Sequence, residues 1–97
     1  MLGGHGMRLH VDEPLRAGDV DIDPGTYDVE VDEEGSAVVL RHDGAEVLRA
    51  DALARGAKMK VRKSSVRLRK VVDEPRRLLV ARTPPSDEWV VSLDERS

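Results

Sequence analysis

Lys58-Met59-Lys60-Val61-Arg62-Lys63-Ser64-Ser65-Val66-Arg67-Leu68-Arg69-Lys70 alternates cations with apolar residues on both sides of a serine pair. Successive side chains of a strand point to opposite faces, so this period of two predicts one wet basic face and one buried face. A hairpin closing at Ser64-Ser65 sets Arg62 opposite Arg67 and Lys60 opposite Arg69, with Val61 opposite Leu68 on the other face. Tight two-residue turns favour Gly or Asn, so the pairing is better specified than the loop. Like charges facing each other cost roughly a few tenths of a kcal/mol per pair. Stacked cations therefore call either for water and salt or for an anionic partner. A solvated edge that Lys and Arg protect from aggregation accounts for the same pattern.

Asp19–Asp32 is the acidic counterpart. Asp19, Asp21 and Asp23 alternate with Val20 and Ile22; beyond Pro24-Gly25, Asp28, Glu30 and Asp32 alternate with Tyr27, Val29 and Val31. Pairing across Pro24-Gly25 would face Asp21 with Asp28 and Asp19 with Glu30. Pro-Gly also suits a type II turn, which splays strands, so a corner between two sheets is the other reading. Pro24-Gly25-Thr26-Tyr27 resembles a strand start common in many β-sandwich modules.

Around these two runs, Met7–Val11 reads as a strand that Asp12-Glu13-Pro14 interrupts. Ala37–His42 is a strand ending at Asp43-Gly44, a strong hairpin signal. Pairing across it sets Arg41 opposite Glu46, Leu40 opposite Val47 and Val39 opposite Leu48. A helix from Gly44 to Arg55, with Asp43 as N-cap and Gly56 as its stop, competes for this segment. The hairpin is the preferred reading, leaving Asp51–Arg55 as a loop or one helical turn. Arg77–Arg82 and Trp89–Leu93 complete the strands, separated by Thr83-Pro84-Pro85-Ser86-Asp87. The fold class expected is all-β: a small antiparallel barrel or sandwich of seven to eight short strands, with at most one short helical turn. The expected core is Val29, Val31, Val39, Leu40, Val47, Leu48, Val61, Leu68, Leu79, Val80, Trp89 and Val91.

Ninety-seven residues suit one domain, here 7–94, after a flexible leader 1–6 and before a frayed end 95–97. The chain has no Phe, one Trp and one Tyr, so core volume must come from aliphatic side chains. It has no cysteine, which excludes disulfides and thiolate metal sites. No apolar run approaches the ~20 residues of a membrane helix, and no secretory signal is evident, so a cytoplasmic protein without membrane contact is expected. The net charge of −3 hides a split, with −8 in residues 1–50 and +5 in 51–97. Such asymmetry points to interaction surfaces.

Catalytic and metal motifs are weak. Asp19, Asp21 and Asp23, with Glu30 at the twelfth position, resemble a calcium loop of the EF-hand type, but Pro24 stands where that loop turns on Gly. Strand alternation also lines carboxylates along one face rather than around an ion, which suits weak divalent-cation binding at most. His5, His10 and His42 are scattered, and Ser64 and Ser65 have no local base. The expectation is a non-enzymatic protein with no metal and no cofactor. Its basic face would be Lys58, Lys60, Arg62, Arg67 and Arg69, and its acidic face Asp19, Asp21, Asp28 and Glu30. These faces would serve protein interaction or self-assembly, the partner being another protein or a second copy. The alternative is nucleic-acid or other polyanion binding through the basic hairpin, against which stand the acidic net charge and the absence of stacking aromatics from the ribbon.

Overall fold

The apolar–polar alternation resolves into ten strands: β1 (Met7–Val11), β2 (Leu15–Ala17), β3 (Val20–Ile22), β4 (Gly25–Asp32), β5 (Ala37–His42), β6 (Ala45–Asp51), β7 (Ala54–Gly56), β8 (Ser65–Lys70), β9 (Arg76–Thr83) and β10 (Asp87–Glu95). They come from a computed structural model, which describes residues 7–96; the expected leader 1–6 and Ser97 lie outside the described residues. The all-β class holds, as a sandwich rather than a barrel. One sheet has the order β1-β4-β5-β6; the other runs β3-β2-β10-β9-β8, with β7 sharing the β2 edge of β10. The count exceeds the seven to eight strands expected because β2 and β7 have three residues each, too few for a period to register. There is no helical turn at 51–55, and no helix among the described residues is long and apolar enough to cross a membrane.

Asp43-Gly44 closes the β5–β6 hairpin with both residues at positive φ, 52° and 83°, as a type I′ turn requires. Arg41 faces Glu46 as expected, but a bulge beyond Arg41 shifts the rest. Leu40 therefore faces Leu48 instead of Val47, and Val39 faces Arg49 instead of Leu48. Without the bulge Val47 would point inward; with it Leu48 does, 7% exposed against Leu40 at 0%.

The Asp19–Asp32 run is the corner, not a hairpin. Chain passing Asp23-Pro24 leaves β3 in one sheet and enters β4 in the other, so Asp21 faces Arg16 of β2, and Asp28 faces Arg8 and Arg41. Tyr27 fixes the bend: its hydroxyl donates to the Asp23 carbonyl at 2.6 Å while its ring is buried. Burial, with Asp23 nearby, raises the Tyr27 pKa, so this donor stays protonated.

The Ser64-Ser65 hairpin does not form. Residues 57–64 make a loop, and β8 pairs with β9, setting Leu68 against Leu79 and Val66 against Ala81. Arg67 then faces Val80 and Arg69 faces Leu78, so no cation opposes another at those positions. The loop passes the tip of the β9–β10 hairpin, where Ala57 and Val61 donate backbone N–H to Ser86 and Pro85 carbonyls, both at 2.8 Å. Ten of the twelve expected core residues are buried, while Val47 and Leu68 lie half-buried against the core. The strongest omissions from that expectation are Leu15, Ile22 and Leu93, all fully buried. Trp89 satisfies its indole N–H on Thr83 Oγ1 at 3.1 Å. β10 runs to Glu95, and the Arg96 backbone N–H donates to the Pro14 carbonyl at 3.1 Å.

A Cβ at Gly44 would meet nothing within 4 Å, so its requirement is conformational alone. Gly44→Ala is expected to lower unfolding free energy by about 1 kcal/mol in urea denaturation. Gly44→Asn should lose less, because Asn tolerates the left-handed region.

Candidate functional site

The outer face of the β1-β4-β5-β6 sheet carries most of the chain's acidic alternation, and arginines from the adjoining strands answer it. Asp28 pairs with Arg8 at 3.5 Å, Glu30 with Arg41, and Asp32 with Arg49 at 2.9 Å. The Gly35 backbone N–H, with Arg49, holds the Asp32 pKa below the usual carboxylate range. Glu30 in turn raises the Arg41 pKa through their hydrogen bond. Val39, flanked in register by Glu30 and Arg49, points outward yet is only 2% exposed.

Asp21 belongs to the other sheet. Arg16 Nε donates to it at 2.9 Å and the Arg96 guanidinium stands 3.3 Å away. Its pKa is lowered, chiefly by the Arg16 bond. Arg96 also donates to Asp23 at 2.8 Å. Asp19 sits in the β2–β3 turn, exposed and without an ion pair among the described residues. The four residues expected to share an acidic face are thus split between two sheets and a turn, and three of them are already paired. Among the described residues no group of three His, Cys, Asp or Glu side chains is arranged to hold a metal ion. His10 and His42 both converge on Thr26, at 3.4 Å from its hydroxyl and 3.1 Å from its carbonyl; His5 lies outside the described residues.

The basic residues behave differently. Every lysine and arginine outside 58–70 has a carboxylate within ion-pair distance: Arg8, Arg16, Arg41, Arg49, Arg55, Arg76, Arg77, Arg82 and Arg96. Inside that stretch lie seven cations, all exposed, and none has an ion pair among the described residues. Lys58, Lys60, Arg62 and Lys63 occupy the loop at the hairpin tip. Arg67 and Arg69 project from the outer face of β8, and Lys70 ends the strand. Lys58, Lys60, Arg62, Arg67 and Arg69, expected together on one hairpin, are all exposed but divided between a loop and an edge strand.

Between loop and strand runs a groove of about 550 Å³, lined among others by Arg55, Lys58, Met59, Arg69, Arg82 and Glu88. Glu88 on β10 accepts from Arg55 of β7 at 2.8 Å and from Arg82 of β9 at 3.0 Å. This one carboxylate, 12% exposed, ties the start of the loop to the central strands. Arg55, Arg82 and Glu88 escaped the sequence reading. Their only signal is strand-to-strand register, Arg55 and Arg82 both facing Glu88, which requires knowing that β7 and β9 flank β10. No known protein family, curated protein or solved structure matches this chain.

The Glu88 pKa is lowered, first by the Arg82 hydrogen bond. A carboxylate depressed in the folded state contributes stability above its unfolded pKa, about 4.3, and loses it as pH falls through the folded value. Thermal melts from neutral pH down to about pH 3 should therefore show a falling Tm. Glu88→Gln should start lower at neutral pH and fall less steeply with acid. Parallel curves for the two chains would remove Glu88 from the titration.

Proposed function

We propose that this chain is a non-catalytic interaction module that docks an acidic surface of another protein through the cations of residues 58–70. The observation that supports this reading most directly is the contrast in pairing. A chain that answers all its other cations internally leaves seven exposed in one continuous stretch. Desolvating those cations against carboxylates supplies charge complementarity, which sets partner choice and association rate more than raw affinity.

Self-assembly through acidic and basic faces draws less support. Asp21, Asp28 and Glu30 are engaged by Arg16, Arg8 and Arg41, so a second copy offers few open carboxylates. Nucleic acid also suits a basic surface, but single-strand recognition stacks bases on aromatic rings. The chain's Tyr and Trp are both buried, Tyr27 at 5% and Trp89 at 3% exposure.

Light scattering after gel filtration should give a monomer at low and high salt. Poly-L-glutamate should bind the wild-type chain in a salt-sensitive way, and Arg67→Glu with Arg69→Glu should weaken it by about tenfold or more, equivalent to about 1.4 kcal/mol. Arg49→Gln, on the far edge of the opposite sheet, should leave binding unchanged. Equal affinity of wild type and double variant would overturn the reading. Duplex DNA binding tighter than polyglutamate, with the same loss in the double variant, would replace it with the polyanion alternative.

A further inference from the structure

β8 pairs with β9 along one edge, and among the described residues nothing pairs with the other. The direction of its backbone groups follows from one bond. Val71 N–H donates to the Arg76 carbonyl at 3.2 Å, one step beyond the Lys70–Arg77 pair. Antiparallel ladders alternate hydrogen-bonded and non-hydrogen-bonded pairs, and the register here is unbroken from Ser65 to Lys70. Arg69 and Arg67 thus spend their backbone groups on β9. Val66, Leu68 and Lys70 turn theirs toward the free edge.

We infer that this edge receives an extended acidic segment of the protein partner as an added strand. The inference rests on the acidic docking read above and specifies its geometry. Arg67 and Arg69 stand on the outer face beside the position of the incoming strand, and the loop cations Lys58 to Lys63 continue the positive field. Acidic residues at every second position of the segment would meet them. The intervening residues would lie beside Val66 and Leu68, which are half-buried on the core side, so the segment alternates acidic with apolar. The same cations repel a second β8, whose arginines would fall opposite or diagonal to them. Charge here selects which strand adds, instead of forbidding addition.

The test uses a fluorescein-labelled decapeptide of alternating Glu and Val, fluorescence polarisation, and amide hydrogen exchange by NMR. The peptide should bind the full chain and weaken with salt. It should slow exchange at the Val66, Leu68 and Lys70 amides, whereas those of Arg67 and Arg69 are slow already in the free chain. Lys70→Gln should weaken binding about twofold by loss of charge. Lys70→Pro, which removes an outward N–H without touching the β9 ladder, should weaken it about fivefold or more, the factor for one lost net hydrogen bond. Matching thermal melts of the two Lys70 variants exclude a folding defect. Charge-dependent binding that leaves the three amides unprotected would overturn strand addition while keeping acidic docking. Peptide binding indifferent to Arg67→Glu with Arg69→Glu would overturn acidic docking itself. Failure of the peptide to bind at low salt, or its displacement by duplex DNA that protects none of these amides, would overturn the proposed occupant.

Discussion

A strand charged at every second residue joins a sheet most readily beside neighbours that answer its charge or bury against it. With 36% of residues charged, this constraint governs most of the pairings in the molecule. β4 brings Asp28 and Glu30, and it lies between Arg8 of β1 and Arg41 of β5. β3 brings Asp21 and pairs with the strand that carries Arg16. β8 brings Arg67 and Arg69 and takes β9, whose facing residues are Val80 and Leu78. Exposed ion pairs contribute little to stability individually, with a median near ~0–1 kcal/mol. Their weight here lies in register, because a one-residue slip would set Asp28 opposite Leu40 or His42 instead of Arg41 and turn the core side outward.

Stability comes from the inward faces, built almost entirely from Val, Leu, Ile and Ala around one buried Trp and one buried Tyr. Those two rings carry polar groups, and each finds a partner: Trp89 on Thr83 and Tyr27 on the Asp23 carbonyl. Tyr27 therefore contributes twice, filling core volume and holding the bend that separates β3 from β4. Arg96 reinforces the same bend from the chain's far end, through Asp21, Asp23 and the Ile22 carbonyl. The corner is thus closed by Tyr27 within it and by Arg96, which follows the last strand.

The exposed basic surface follows from the exception to the charge constraint. Loop 57–64 and edge strand β8 adjoin one another around the tip and outer side of the β9–β10 hairpin, and neither has an acidic strand beside it. Glu88 secures Arg55 and Arg82 and so anchors the loop, but reaches no further. Positive charge is left exposed at a sheet edge whose backbone is half unsatisfied. An edge of this kind suits a partner of opposite sign and strand-like conformation better than it suits a flat nucleic-acid contact, which would use the charge and ignore the backbone.

Much of this was legible in the chain itself. Alternation with Gly, Pro and Asp turns identified the all-β class. Asp43-Gly44 identified its hairpin through the backbone conformation that Gly permits, and aliphatic periodicity located most of the core. The basic character of 58–70 needed only counting. Pairing partners were a different matter. The Lys58–Lys70 and Asp19–Asp32 runs each looked like self-contained hairpins because sequence neighbours were the only candidate partners in view. Folding offered β8 an apolar neighbour in β9 and offered β3 and β4 arginine-bearing neighbours from both directions along the chain. Likewise the bulge that exchanges Val47 for Leu48 appears only once a second sheet defines which side is inward. Local pattern determines what a strand is, from the geometry of its own backbone. Which strand lies beside it, and hence which charges remain unanswered, is decided by the competition among all strands for partners in three dimensions.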